Sequence, residues 1–560
     1  MDTEALRAET SVKGEGRLSG HVRMFIYALI LASAFASMVV RLGWTQRQVG
    51  DEHSPMLSAN DRSRWVTVRA LTETGSFEID PYTKDPVLAR HWNTIDKVVH
   101  EGPDGRLHEY SSKPPLLATM VAGVYAALNK AGWLDMKSHL FLAVRWLLIL
   151  CQILPLTITL GVFAWFLDRW PWCTTDAARF YAFTAACWGT FVTTFAVTLN
   201  NHHFAVIAVY WSMFALAVIL RTPKASGAWF VVLGVSGAMA AANELPALAW
   251  TVFVAGFGLW RSPERALKWM LPGLLVVGLA YFGTNLIAHR TLKMPYSFRS
   301  DGPVVLTMPL EFATDLEAGL MPTEMRRQLN RHSEKWGFQL GPETWIEDNR
   351  YPVPGTVERR WVIRNYHLGP YRPDQWQGLA VVQPKDGNTI EIRRWANWYD
   401  YPGSYWHDGQ RKGVDAGEKS AGWYAFHCLV GHHGIFSLTP MWILAVWGIL
   451  LAIRKDGPWR LIGFVVLGLS VVVIGFYLTR PLLDRNYGGQ ASALRWVFWL
   501  SPLWIVMLVP AIDKLSRSRI GLGCAWLLLT LSVVSALYSG TNPWVGPWLY
   551  QWSLTLTETR

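Results

Sequence analysis

Apolar runs of about 20 residues recur along the chain, and they constrain its fold more than any other feature. A helix needs roughly 20 residues to cross about 30 Å of hydrocarbon. The stretch 228–260 is too long for one span and predicts two short spans that turn near Asn243 and Pro246. The remaining runs lie at 24–43, 143–167, 177–198, 203–221, 266–288, 434–453, 459–478, 495–512 and 519–538. The sequence therefore predicts an all-α polytopic membrane protein with about eleven transmembrane helices.

Composition supports the membrane class and argues against nucleic acid as a partner. Of the 560 residues, 51% are hydrophobic and 17% are charged, which is too apolar for an ordinary pair of soluble domains. The formal net charge is +11, but the basic residues fall in short loops between apolar runs rather than along one stripe. That distribution is a topology signal and predicts no binding of nucleic acid.

The loop charges fix a predicted orientation. Basic residues concentrate in cytoplasmic loops, so the basic tail before the first span places the N-terminus in the cytoplasm. The apolar segment 114–128 is then excluded as a span, because counting it would put the later basic loops outside. We expect an interfacial helix there. Four polar segments come to the outer face: 45–142, 200–203, 290–430 and 479–494.

The same pattern predicts the domain organisation. A small mixed α/β lobe is expected in the insert, where 379–383 and 389–394 flank a DG turn that is typical of a β-hairpin. The five cysteines are widely spaced and imply neither a disulfide framework nor a structural metal site. In order, we predict a cytoplasmic tail 1–23, a membrane domain 24–289 with a first outer loop 45–142, an extracytoplasmic insert 290–430, C-terminal helices 431–539 and an outer tail 540–560.

Asp61 is the acid best placed for catalysis in the first outer loop. It stands just outside the first span, at the start of a helical stretch, where a carboxylate can accept a proton from an incoming hydroxyl. The alternative is a helix cap, in which Asn60 or Asp61 satisfies the free amides of that helix. Position alone leaves both interpretations open.

Lys113 precedes two prolines in Tyr110-Ser111-Ser112-Lys113-Pro114-Pro115-Leu116. A lysine at the headgroup level, beside a stiffened backbone, can hold a lipid phosphate as a point charge. The alternative is an interfacial lysine that only extends its ammonium group to water.

At these two places the sequence resembles the membrane glycosyltransferases of the GT-C superfamily. The resemblance rests on Asn60-Asp61-Arg62 with Trp65 and Arg69-Ala70-Leu71, and on Lys113-Pro114-Pro115-Leu116; weaker segments are Gly434–Pro440 and Asn486–Gly489 with Leu494-Arg495-Trp496. It is closest to the bacterial branch of protein mannosyltransferase-like and lipid A aminoarabinose transferase-like enzymes. It implies that Asp61 is catalytic, that Lys113 contacts a polyprenyl phosphate, and that the protein works in the cell envelope, at the bacterial inner (plasma) membrane.

The chain departs from that family at two positions. Asn60 stands where many members carry an acid beside Asp61, so that Asp51 or Glu52 could replace or assist Asp61. Asn200-Asn201-His202-His203 stands where many members carry an acid after the third span. The insert 290–430 matches no pattern of the family.

Other polar residues of the outer face are candidate substrate-binding residues. Adjacent histidines on a helix point to different sides, which favours one functional residue per pair over a shared metal. A divalent metal is left open as a cofactor. The candidates are Arg62, His202, His203, Glu244, His432, Arg485 and Arg495.

We therefore expect a glycosyltransferase that moves a sugar from a polyprenyl-phosphate donor in the membrane to an extracytoplasmic acceptor, which is a glycan, a lipid or a protein. Asp61 would be the base and Lys113 would contact the donor phosphate. The alternatives are a transporter or flippase, a polymerase or ligase of lipid-linked glycans, and a non-catalytic glycolipid-binding relative. A transporter usually has ionisable groups at mid-membrane, and the predicted spans have almost none there.

Overall fold

The fold is taken from a computed structural model. It describes residues 18–169, 173–222, 224–299, 302–335, 340, 344–348, 357–365, 377–384, 387–394, 397–401, 403–406 and 411–558. Most of the predicted cytoplasmic tail and the Lys385-Asp386 part of the predicted turn lie outside these residues.

The described chain is mostly helical, and seven helices are long and apolar enough to cross a membrane. These helices make it a membrane-embedded protein. They are α1 (Gly20–Trp44), α6 (Leu140–Arg169), α8 (Asn201–Arg221), α11 (Pro263–His289), α17 (Pro458–Leu478), α18 (Arg495–Leu515) and α19 (Arg519–Tyr538).

By length and composition, the described chain has seven spans rather than the predicted eleven. The other four predicted spans are shorter helices. The predicted span 177–198 ends at Trp188 and continues through turns. The span 434–453 is broken between Leu438 and Trp442, where Pro440 lacks the amide needed to continue the helix. The four helices are α7 (Asp176–Trp188), α9 (Gly227–Asn243), α10 (Leu245–Arg261) and α16 (Trp442–Ile453).

The remaining helices are short or lie in the loops. Pro115–Lys130 is the helix expected at 114–128, and it begins at a proline, which is pre-set for a first helical turn. These helices are α2 (Ala59–Glu73), α3 (Asp80–Thr83), α4 (Ala89–Trp92), α5 (Pro115–Lys130), α12 (Phe312–Glu317), α13 (Thr323–Arg331), α14 (Ala421–Leu429), α15 (Ile435–Leu438) and α20 (Trp548–Glu558).

Three small antiparallel sheets lie in the polar segments. The first outer loop contains β1 (Arg47–Val49) paired with β2 (Glu52–Ser54), and β3 (Lys97–Glu101) paired with β4 (Leu107–Ser111). The insert contains a five-stranded sheet of order β5-β9-β8-β7-β6. Its strands are β5 (Val304–Pro309), β6 (Thr344–Asp348), β7 (Val357–Asn365), β8 (Gln377–Pro384) and β9 (Thr389–Arg394). The predicted hairpin is confirmed, with Leu379 opposite Arg394.

Hydrogen bonds join the ends of different helices, and these contacts form two sets at opposite ends of the helices. At one end Arg23 Nε donates to Asp168 at 2.5 Å, and the Thr175 hydroxyl donates to Asp513 at 2.7 Å. At the other end the Thr45 hydroxyl donates to the carbonyl of Thr541 at 3.2 Å. The first set joins the termini predicted to be cytoplasmic, and the second joins termini predicted to be outside.

Close helix packing depends on small residues where backbones meet. A Cβ added at Gly448 in α16 would lie 1.7 Å from the carbonyl oxygen of Met507 in α18, closer than any real contact. A glycine at such a crossing lets two membrane helices approach until their backbones touch.

We therefore expect Gly448→Ala to destabilise the protein by about 1–3 kcal/mol, because the extra methyl group forces the two helices apart. The measurement is the midpoint of thermal unfolding in detergent. Gly468→Ala in α17 is the matched control, since no atom lies within 4 Å of its added Cβ. Equal midpoints for the two variants would contradict the packing argument.

Candidate functional site

Buried polar side chains converge where α2, α8, α10 and α18 begin. We call this group the polar cluster and define it as Asn60, Arg64, Asp96, Lys113, Asn201, His202, Glu244 and Arg495. Asn201 and Arg495 open apolar helices, and Glu244 directly precedes another. The cluster therefore lies at the junction between the apolar helices and the polar segments.

Helix α2 begins with a capping box that contains Asp61. The hydroxyl of Ser58 accepts from the amides of Asn60 and Asp61, and the carboxylate of Asp61 accepts from the amide of Ser58 at 2.7 Å. These reciprocal bonds satisfy amides that a helix start leaves free. The cap orients the first turn, so that Arg64, four residues after Asn60, donates to the Asn60 carbonyl at 2.9 Å.

Asp61 is therefore the partner of a helix cap in this structure. Its side chain is 1% exposed and accepts five hydrogen bonds. One comes from the Thr198 hydroxyl at 3.0 Å, and that same hydroxyl accepts from Trp544 Nε1 at 2.9 Å. The ring of Trp544 lies under the guanidinium of Arg495, at 4.9 Å. Asp61 is thus linked to the polar cluster through two side chains.

The loop before α8 is held by Gln152, which lies in a π-helical turn within α6. Its side-chain amide donates to the carbonyls of Ala196 and Thr198, and its side-chain oxygen accepts from the amide of Asn200 at 3.2 Å. The π turn rotates Gln152 toward the loop; such turns are frequent at functional sites. The side chain of Asn200 caps α8 by accepting from the amide of His203 at 3.0 Å.

His202 and His203 point to different partners. Nε2 of His203 lies 3.2 Å from the backbone oxygen of Gln152, away from the polar cluster. Nε2 of His202 accepts from Arg495 at 2.9 Å, and its Nδ1 contacts the carboxylate of Glu244. A neutral imidazole that accepts at Nε2 carries its proton at Nδ1, on the side of the ring that contacts Glu244.

Two arginines are linked to the carboxylate of Glu244 through neutral side chains. Arg64 donates to the side-chain oxygen of Asn201, whose amide donates to Glu244 and to the carbonyl of Asn243. Arg495 reaches Glu244 through His202. Arg64 is 3% exposed, and its Nε has no hydrogen-bond partner within the described chain. Burial lowers the pKa of Arg64, and the positive charge of Arg495 acts in the same direction.

Lys113 completes the cationic side of the cluster. Pro115 starts α5, so that Lys113 lies in the first outer loop two residues before this helix. Its ammonium group lies 3.0 Å from the carboxylate of Asp96. Burial is the largest cause that lowers the pKa of Lys113 to about 8; the charges of Arg64 and Arg495 contribute to this shift, and Asp96 opposes it. The lysine is still mostly protonated at pH 7.

The remaining predicted site residues lie elsewhere. His432 stacks on His427 with ring centroids 3.8 Å apart, and burial lowers its pKa to about 4, so it is neutral near pH 7. Arg485 donates to the carbonyls of Arg480 and Lys419, which fixes a loop. Arg62 donates to the carbonyl of Ser58. Asp51 and Glu52 are both exposed, and the carboxylate of Glu52 lies 2.8 Å from Nε2 of His91.

Sequence reasoning predicted four members of the cluster: Lys113, His202, Glu244 and Arg495. It assigned no role to Arg64 or Asn201, although both stand in segments that the motifs cover. It missed Asp96, which has no motif around it and reaches Lys113 only through the fold. Within the described residues, no group of three or more His, Cys, Asp or Glu side chains is arranged to hold a metal ion.

An apolar groove adjoins the cluster at the start of α18. Its lining includes Leu494, Val497 and Phe498, which lie close to Arg495 in the sequence, together with the hydroxyl-bearing residues Thr190, Thr439 and Ser501. The ring of Phe498 meets that of His202 edge-on, with centroids 6.1 Å apart.

No protein-family model and no curated protein matches the chain.

Proposed function

We propose that the chain is a glycosyltransferase that moves a sugar from a polyprenyl-phosphate donor to an acceptor at the extracytoplasmic face of a bacterial inner membrane. The observation that carries this proposal is the cationic side of the polar cluster. The charge of Arg495 lowers the pKa of Arg64, and the charges of both arginines lower the pKa of Lys113. The two arginines reach the carboxylate of Glu244 only through Asn201 and His202. Such a site favours a bound phosphate, and it stabilises the charge that grows on a phosphate as it leaves.

The topology that accompanies this proposal has eleven spans, including the four shorter helices, with the N-terminus in the cytoplasm. The two sets of helix ends support it, because termini predicted to lie on the same side contact one another. Under this topology the polar cluster faces the extracytoplasmic side at the level of the lipid headgroups. A lipid-linked donor then reaches the cluster without leaving the membrane.

In the proposed reaction Asp61 accepts the proton of the acceptor hydroxyl. The acceptor oxygen bonds to the sugar carbon, and the bond from that carbon to the phosphate oxygen breaks, leaving its electron pair on the phosphate. In the structure the Thr198 hydroxyl occupies a hydrogen-bonding position on Asp61 Oδ2. An acceptor hydroxyl that displaces it would donate to the same oxygen. Catalytic hydrogen bonds often form only once substrate is bound.

The test is transfer of radiolabelled sugar by the purified protein in proteoliposomes. The donors are a panel of polyprenyl-phosphate sugars, with nucleotide sugars as the comparison, and a detergent extract of the envelope supplies acceptors. Transfer from a polyprenyl-phosphate sugar alone supports the proposal. Movement of the labelled donor between leaflets, with no product formed, would identify the flippase alternative and overturn it.

Arg495 provides a separate prediction. Replacing it with alanine should lower transfer by about 10–100-fold, because a hydrogen bond to a charged group contributes about 1.5–3 kcal/mol. The loss should appear mainly as a raised KM for the donor. The matched control is Arg480→Ala, since Arg480 lies in the same outer segment and pairs with Asp484. Equal effects of the two variants would contradict a specific role for Arg495.

A further inference from the structure

The end of the insert reaches the polar cluster, although no motif gives it a function. Trp406 Nε1 donates to the carbonyl of Ile95, directly beside Asp96, at 2.8 Å. On the other side, the amide of Glu418 donates to the carbonyl of Arg485 at 2.9 Å. Trp406 is therefore anchored to the first outer loop, and Glu418 is anchored to the loop before α18.

Glycine is required where the end of the insert packs closely. Gly417 has a φ of +84°, and a Cβ built there would lie 2.2 Å from the carbonyl oxygen of Leu482. Both the backbone conformation and the close contact exclude a side chain. This packing fixes the one-turn helix Gly413–Ala416, which carries Asp415.

Asp415 is an acid near the cluster that is held by neutral partners. Its Oδ2 accepts from the Tyr405 hydroxyl at 3.0 Å, and its Oδ1 accepts from Asn486 Nδ2 at 3.1 Å. Both donors are neutral, whereas Asp96 pairs with the ammonium group of Lys113. Within the described chain Asp415 makes no ion pair, so that it keeps hydrogen-bonding capacity for another molecule. Burial raises the pKa of Asp415, and the charge of Asp96 adds to this.

Gly489, which has no side chain, lies between Asp415 and Arg495, and we call the space beside its Cα the notch. The Cβ position at Gly489 lies 3.7 Å from Asp415 Oδ1 and 3.9 Å from an Arg495 guanidinium nitrogen. Gly489 has a φ of +77°, which favours glycine and keeps the notch open. A group in this notch would touch a carboxylate on one side and the proposed phosphate-binding arginine on the other.

We propose that Asp415, supplied by the insert, binds the acceptor and selects one that is uncharged and rich in hydroxyl groups, such as a neutral glycan. This inference rests on the proposed function. A carboxylate with two neutral neighbours accepts hydrogen bonds from sugar hydroxyls and repels phosphate or carboxylate on an acceptor. The cluster thus has a cationic side for the donor and an acidic side for the acceptor, and Gly489 lies between Asp415 and Arg495. Asp415 is a positioning and specificity residue in this scheme.

The experiment compares wild type, Asp415→Asn and Asp484→Asn in the transfer assay, with a neutral oligosaccharide and its phosphorylated form as acceptors. Asp484 is the matched control, because it lies on the one-turn helix packed against Asp415 and pairs with Arg480. Asp415→Asn should raise the KM for the neutral acceptor about tenfold or more. The ratio of kcat/KM for the neutral acceptor to kcat/KM for the phosphorylated acceptor should therefore fall. Donor binding, measured with radiolabelled polyprenyl-phosphate sugar, and the unfolding midpoint should be unchanged.

Two results would overturn the inference while leaving the proposed function intact. One is that the wild type is active and Asp415→Asn has the same KM for the acceptor as the wild type. The other is a fall in kcat with unchanged KM, which would assign Asp415 a role in the chemical step or in the structure. Wild type that transfers nothing from any donor would instead overturn the proposed function, and the inference with it.

Discussion

Lys113→Ala is expected to lower sugar transfer by about 10²–10³-fold, the usual cost of removing one charged or hydrogen-bonding group that stabilises a leaving oxygen. Lys113 is 9% exposed and lies beside two arginines, so water would replace its charge poorly. The measurement is kcat/KM for the donor in proteoliposomes. A decrease of less than threefold would contradict contact between Lys113 and the donor phosphate.

Stability must be separated from activity in this variant, because alanine leaves the carboxylate of Asp96 buried and unpaired. Removing one partner of a buried ion pair costs about 3–5 kcal/mol. The double variant Lys113→Met with Asp96→Asn removes both charges and should recover most of the unfolding midpoint. It should remain inactive, since it still lacks the ammonium group. Recovery of transfer together with the midpoint would show that the lysine has only a structural role.

The lowered pKa of Lys113 also predicts an alkaline limit of activity, which is the pH above which sugar transfer declines. The ammonium form binds phosphate, and its pKa falls from 10.5 to about 8 in the folded protein. Transfer should therefore decline as the pH rises through about 8. Lys113→Arg, where active, should move this limit upward by more than one pH unit, because arginine stays charged over that range. An unchanged limit in that variant would assign the titration to another group.

Most of the fold could be predicted from hydrophobic length alone. The helices Gly20–Trp44, Asn201–Arg221 and Arg519–Tyr538 lie within a few residues of the predicted spans, because a run of about 20 apolar residues has few other folds available. The span 434–453 was predicted too long, since the composition around Pro440 stays apolar even though its backbone cannot continue a helix. Apolar composition gives no signal for such a break.

The site could be predicted only in part, because its members are separated by hundreds of residues. Arg495 and His202 stood out as polar residues at the ends of apolar runs, and the fold places them 2.9 Å apart. Asp96 and Asp415 lie within polar segments that contain many acids, so nothing local distinguishes them. Their positions depend on how the first outer loop and the insert dock, which the sequence of either segment alone does not encode.

Asp61→Asn should reduce transfer by about 10²–10⁴-fold, the usual contribution of a general base. It should also destabilise the protein by about 0.5–2 kcal/mol, because an amide cannot accept all the hydrogen bonds of the capping box. Ser58→Ala is the matched control: it removes the hydroxyl half of the same cap and leaves the carboxylate in place. The two variants should therefore share the lower unfolding midpoint, and only Asp61→Asn should lose kcat while it keeps donor binding. If Asp61→Asn retains kcat, or if both variants lose it equally, Asp61 serves the helix and the base lies elsewhere in the outer face.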